Sequence, residues 1–189
     1  MASGNGDGRE PVVTIFGSYS PRPGEALYEL AYRIGYALAA AGYTVCNGGY
    51  DGTMEAACRG ARDAGGHTIG VTCAIFSDYR GKPLKANPYV DREIVHEDVF
   101  ARIREMMQLG DAFVVLEGGT GTLTELAIVW EFVCKGLIEP RPIVIVGDFW
   151  RPLVDRVAQV RPKHAAMVTV AHRPEEVVAA VESNGRPRK

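Results

Sequence analysis

The chain has 189 residues, 47% of them hydrophobic and 23% charged, with 21 Lys and Arg against 23 Asp and Glu for a formal net charge of -2. That length suits one domain with a sizeable core and excludes a chain disordered throughout. The balanced charge lacks the basic footprint of a nucleic-acid or anionic-membrane binder, and no apolar run approaches the ~20 residues of a membrane span.

Residues 1–10 and 183–189 are polar and marked by Gly or Pro, so they read as flexible tails around a single domain at 11–182. The first ten residues carry no apolar segment of a signal peptide. Cys46, Cys58, Cys73 and Cys134 are scattered, form no CxxC and, but for Cys58, sit in apolar stretches. They read as reduced, buried thiols of a cytoplasmic protein.

Short β-branched runs alternate with longer periodic segments. A strand at 12–16 ends at Gly17, and a helix over 24–41 shows Leu27, Leu30, Ala31, Ile34, Leu38 and Ala41 at helical spacing. Gly42 closes it. A strand at 43–46 ends at Asn47-Gly48-Gly49, 53–64 reads as a helix and 67–72 as a third strand. The stretch 74–91, with three aromatics, two Pro and one Gly, breaks the alternation and reads as an excursion over the sheet. A helix over 97–109 leads to 112–116, a strand apolar on both faces as in a buried parallel sheet. Helix 122–134, strand 142–146, helix 150–160, strand 168–170 and helix 174–182 complete the order. This pattern predicts an α/β fold, a doubly wound parallel sheet with helices on both faces. Ligands of such folds sit beyond the carboxyl ends of the strands, which directs attention to the loops after Phe16, Cys46 and Leu116.

The sharpest loop is Glu117-Gly118-Gly119-Thr120-Gly121-Thr122-Leu123-Thr124-Glu125, between a buried strand and a helix. Three glycines let the backbone approach a ligand, Thr120 and Thr122 add hydroxyl donors, and the helix start offers free N–H groups. These features suit a phosphate; a Gly-rich turn with a Thr cap and no ligand fits them as well. The loop is neither a Walker A motif nor a clean GxGxxG. Asn47-Gly48-Gly49-Tyr50-Asp51-Gly52-Thr53-Met54 and Gly17-Ser18-Tyr19-Ser20 repeat the arrangement, so that one ligand could be held from several sides. Glu125, in the first turns of its helix, is either a dipole-stabilised surface acid or a carboxylate facing that ligand. Arg102 shares a helix face with Met106, whereas Arg104 points elsewhere and reads as a solvated charge. The four histidines show no metal-ligand spacing, and no metal site is expected.

The run Gly118-Gly119-Thr120-Gly121-Thr122-Leu123-Thr124-Glu125 resembles the PGGxGTxxE signature of the LOG family, proteins often mislabelled as lysine decarboxylases. Gly48 to Met54 resembles that family's GGxxGxM segment, and Phe16-Gly17-Ser18-Tyr19-Ser20 its first glycine–serine loop. The likeness spans residues 12–150 in order. It implies a Rossmann-like fold and a nucleoside 5′-monophosphate ligand, of the AMP or cytokinin nucleotide type. The implied reaction is cleavage of the N-glycosidic bond to free base and ribose 5-phosphate, with no cofactor. It implies catalytic roles for Arg102 and Glu125, and ligand contacts from Gly17, Ser18, Gly48, Gly49, Gly52, Met54, Gly118, Gly119, Thr120, Gly121 and Thr122. A homodimer is implied as well. The alternative within the same fold is a non-catalytic nucleotide binder or molybdenum-cofactor carrier. Three positions depart from the family pattern. Glu117 stands at the signature proline, Ile103 stands where an Arg-Lys pair has its lysine, and 74–91 shows no match to the family's ligand-binding acid.

Overall fold

A computed structural model describes residues 10–77 and 81–184 of the chain. Seven short strands form one sheet: β1 (Val12–Phe16), β2 (Thr44–Asn47), β3 (Thr68–Cys73), β4 (Arg92–His96), β5 (Ala112–Val115), β6 (Ile143–Val146) and β7 (Val168–Ala171). Their order is β4-β3-β2-β1-β5-β6-β7, and every neighbouring pair is parallel. The connecting helices are α1 (Ala26–Ala40), α2 (Thr53–Asp63), α3 (Val99–Leu109), α4 (Thr120–Cys134), α5 (Arg151–Val160), the short α6 (Pro162–Ala165) and α7 (Pro174–Asn184). The expected Rossmann-like α/β class is what forms.

β1, β2, β5 and β6 are buried at every residue, which explains their β-branched and apolar runs, broken only by the hydrogen-bonded Asn47 at the end of β2. Val13, Ile15, Val45 and Val114 face one way, into a core shared with α1, α2 and α7. Val12, Phe16, Cys46, Phe113 and Val115 face the other way, into a core with α3, α4 and α5. The chain winds outward from β1 to β4, then α3 carries it back to β5 beside β1. The order therefore reverses between β1 and β5, and the crevice above their carboxyl ends is where such folds place ligands.

The structure differs from the sequence reading in four local ways. β4 was not expected. Only Ile94 of its five residues packs on a core, so its side chains show little pattern, and pairing with the β3 backbone supplies the strand. α1 buries the expected Ala31, Ile34 and Leu38, with Leu27 and Leu30 packed against the core, and widens that face to Tyr28, Gly35 and Ala39. The added positions follow from close packing on α2, where Gly35 lies against the Ala57 carbonyl and leaves no room for a side chain. α4 starts at Thr120, two residues early, with Gly119 as its N-cap. α6 is an extra turn begun by Pro162. Of the expected tails, residues 1–9 and 185–189 lie outside the described residues; Glu10 accepts a hydrogen bond from Thr44 Oγ1 at 2.9 Å.

Among the described residues no helix is long and apolar enough to cross a membrane. None of the cysteines is in a disulfide; Cys46, Cys58 and Cys73 are buried and Cys134 half-buried.

Candidate functional site

Arg102 enters the site from α3. Asp98 caps that helix by accepting the Ala101 N–H at 2.9 Å, and the Thr14 hydroxyl ties the helix's far end to β1 by donating to Met106 O at 3.0 Å. Arg102 thus sits one turn inside α3, on the face that carries the fully buried Met106. It is only 6% exposed. Its Nε donates to the Val71 carbonyl of β3 at 2.7 Å, and its Nη1 reaches Glu125 Oε1 at 3.3 Å. Arg104 is exposed, as its position on the opposite face predicts.

Glu125 comes from α4, which begins directly after β5. Thr122 and Glu125, three residues apart, share the buried face of that helix. Glu125 is 9% exposed, and burial pushes its carboxyl up to about 7 while the Arg102 guanidinium pulls the other way. Burial disfavours the charged form and the neighbouring cation favours it, so desolvation is the larger effect here. A carboxyl poised near neutrality, beside a permanent cation, can both hold and give up a proton at physiological pH.

The glycine loops close over this pair. A side chain at Gly48 would collide with Arg102 Nη2 and lie 2.8 Å from Met54 Sδ. Gly49 and Gly52 have φ of 77° and 70°, a region that L side chains rarely adopt. Asn47 braces the turn: its Oδ1 accepts the Gly49 N–H at 2.8 Å and its Nδ2 donates to Met54 O at 3.0 Å. The first loop joins the second through Thr53, whose N–H and hydroxyl both donate to Ser18 O, at 2.8 and 3.0 Å. Gly17 packs against that same threonine. In the third loop Gly118 lies against the Thr122 hydroxyl, while Gly119, Thr120 and Gly121 are exposed at the start of α4. Among the described residues no side chain caps that helix, so its first N–H groups and the positive end of its dipole face the crevice. Such a terminus can hold an anion.

Above β1 and β5 lies a cleft of about 640 Å³. Ser18, Glu25, Leu27, Glu117, Gly118 and Phe149 are among the residues that line it. Neither Arg102 nor Glu125 is among the residues that line it. The three departures from the LOG pattern now have positions. Glu117 is exposed at the cleft. Ile103 is buried in the α3 core, so the residue after Arg102 does not point at Glu125. The excursion at 74–91 returns to the site with Asn87 and Phe76; residues 78–80 lie outside the described residues.

Asn87, Tyr50 and Phe76 were not singled out in the sequence. Asn87 Nδ2 donates to the Gly49 and Tyr50 carbonyls, both at 3.0 Å, and so pins the second glycine loop. Its one sequence cue is the pair Asn87-Pro88, a turn signal at the end of the excursion. Among the described residues no group of three or more His, Cys, Asp and Glu is placed to hold a metal ion.

A family model described as the SLOG cluster4 family matches residues 10–178. The chain is 38% identical over 139 residues to a cytokinin riboside 5′-monophosphate phosphoribohydrolase of Mycobacterium tuberculosis, covering 73% of this chain and 71% of that one. It is 30% identical over 180 residues to the protein of the same name from Rhodococcoides fascians, covering 90% and 89%. The structure of the molybdenum cofactor carrier protein of Chlamydomonas reinhardtii matches with a TM-score of 0.71 at 26% identity, covering 93% of this chain and 98% of that one.

Proposed function

The chain belongs to the SLOG cluster4 family, and on that premise we propose that it is a hydrolase cleaving the N-glycosidic bond of a nucleoside 5′-monophosphate. The observation that carries the reading is the Arg102–Glu125 pair. Two helices bring these residues together at the carboxyl end of the sheet, beside an uncapped helix terminus. The substrate class is an AMP or cytokinin nucleotide, in keeping with the names of the bacterial relatives.

In this reading the 5′-phosphate lies on the N–H groups and hydroxyls of Gly118, Gly119, Thr120, Gly121 and Thr122. Gly17, Ser18, Gly48, Gly49, Gly52 and Met54 shape the rest of the cradle. Anchoring a phosphate that does not react orients the bond that does. The bond from C1′ to the base nitrogen breaks through an oxocarbenium-like ribose. Ionised Glu125 faces that positive charge and takes a proton from the attacking water, whose oxygen bonds to C1′. The base leaves with the bonding electron pair and takes up the proton that Glu125 drew from water, giving free base and ribose 5-phosphate with Glu125 ionised again. Arg102 keeps its charge throughout, so it acts electrostatically and in placing Glu125, not as an acid. A cytoplasmic homodimer belongs to the same reading. The dimer is supported by Phe100 of α3, 75% exposed, and Leu123 of α4, 38% exposed, on the helices that carry the pair. Light scattering at assay concentration tests the dimer.

The test of function is a panel of nucleoside monophosphates assayed by chromatography for free base and ribose 5-phosphate. Release is expected from the wild type. It is expected to fall by roughly 10²-fold or more in Glu125→Ala and Arg102→Ala, while the nucleotide still raises the melting temperature. A second reading, the non-catalytic carrier, is favoured by the likeness to the algal molybdenum cofactor carrier. It wins if a monophosphate stabilises the protein but none is cleaved. Both readings fail if no phosphorylated ligand shifts the melting temperature.

A further inference from the structure

The Arg102 guanidinium is committed on several sides to groups of this chain. Its Nε is bonded to Val71 O, its Nη1 faces Glu125, and its Nη2 packs where Gly48 has no side chain. Two aromatic rings complete the enclosure. Cζ lies 5.8 Å from the Tyr50 ring centroid and 5.6 Å from that of Phe76, both inside the range of about 6 Å for cation–π attraction. The rings also meet each other, with centroids 5.9 Å apart and planes tilted by 53°.

Tyr50 is not free to yield. Its hydroxyl accepts the Cys73 N–H at 2.8 Å and donates to the Cys73 carbonyl at 3.2 Å, so it is locked to the end of β3. Asn87 holds its backbone carbonyl. Phe76 comes from the excursion and is half-buried. A buried arginine loses its hydration, and its long arm would sample several rotamers unless packing selected one. The enclosure selects the rotamer that meets Glu125.

We propose that Tyr50 and Phe76 are positioning residues: an aromatic clamp, anchored on Cys73, that fixes the Arg102 guanidinium against Glu125. The clamp stands on the contacts alone; its effect on turnover rests on the phosphoribohydrolase reading. The rings act through Arg102 and are not a platform on which the base stacks.

The test reads the arginine directly and turnover separately. The Arg102 Nε–H resonance, assigned by its loss in Arg102→Lys, is expected to be shifted by the ring currents and to exchange slowly with water. Phe76→Leu keeps the bulk of the side chain but removes the aromatic face. It is expected to move the resonance and to speed its exchange by about tenfold, and to lower kcat by about tenfold with KM within about twofold. Phe76→Tyr is expected to restore all of these. Tyr50→Phe keeps the ring but frees it from Cys73; it is expected to give a smaller change of the same sign, and it serves in place of Phe76→Leu should that variant not fold. An unmoved Arg102 resonance overturns the clamp. A raised KM with unchanged kcat also overturns it, because that result assigns the rings to substrate binding. If the wild type cleaves no monophosphate, the hydrolase reading falls, and the Arg102 resonance still decides the clamp.

Discussion

Replacing Glu125 by Gln removes a carboxyl whose ionisation the fold resists. Burial raises it from 4.5 to about 7, against the pull of Arg102. The neutral form is therefore the one the folded state prefers. Its stabilising contribution is whole below the unfolded value near 4.5 and is lost as pH climbs through about 7. Integrating between pH 5 and pH 8 gives a loss of about 2–3 kcal/mol in the wild type that a glutamine does not share. For a domain of this size, 1 kcal/mol moves the melting temperature by roughly 2–4 °C. The wild type should thus lose roughly 5–10 °C relative to Glu125→Gln across that interval. The assay is thermal unfolding of both proteins from pH 5 to pH 8 at constant ionic strength. The drift of the difference is the quantity to read, because the penalty of leaving Arg102 without its carboxylate is nearly constant with pH and cancels. A flat difference would refute the reasoning, since it would mean that the guanidinium outweighs desolvation and Glu125 is ionised throughout. The same titration should appear in turnover: kcat/KM should fall about tenfold per pH unit below about 7, because the ionised carboxylate is the base.

Gly48→Ala places a methyl group against Arg102 Nη2 and Met54 Sδ. Overpacking of this kind costs about 1–3 kcal/mol. The displaced guanidinium should lower kcat by roughly 10²-fold, measured by base release; a variant with full activity shows that Arg102 need not hold this position. Asn87→Ala leaves the Tyr50 carbonyl and the Tyr89 N–H without the side chain that pairs them, while the Gly49 carbonyl keeps the backbone N–H of residue 87. It should lower stability by about 2–4 kcal/mol in urea titration, and a change below about 0.5 kcal/mol would mean that the glycine loop holds itself. Burial pushes the Cys46 thiol up to about 12 and the Cys58 thiol to about 11. Neither should react with an alkylating reagent at pH 8 in the folded protein, and both should after denaturation. Rapid native labelling of Cys46, located by peptide mass, would contradict its enclosure.

The alternation of β-branched runs with amphipathic segments is written in residues 12–182, because a strand buried on both faces is apolar or β-branched at most positions, and its few polar side chains, such as Thr14 and Asn47, are hydrogen-bonded. β1, β2, β5 and β6 are of that kind. β4 is not, because an edge strand needs only the β3 backbone and one inward residue, Ile94, and leaves little trace in side-chain polarity. In the site, the glycine loops and Glu125 were legible because each follows a strand and opens a helix, a local relation. The environment of Arg102 was only half legible: helical spacing put it on the face of Met106, but nothing local names its partners.

Those partners come from far along the chain. Val71 and Glu125 stand 31 and 23 residues from Arg102, and Asn87 reaches back 38 residues to Gly49. Sequence alone determined which loops gather at the carboxyl edge of the sheet, because strand polarity and helix starts depend on neighbours within a few residues. Tertiary structure alone decided that α3 crosses back to set Arg102 beside Glu125. It also decided that Tyr50 and Phe76 enclose the guanidinium and that Glu125 is dry enough to titrate near neutrality. Desolvation and side-chain contact depend on what the folded chain brings together in space, and a linear pattern of residues carries no record of that distance.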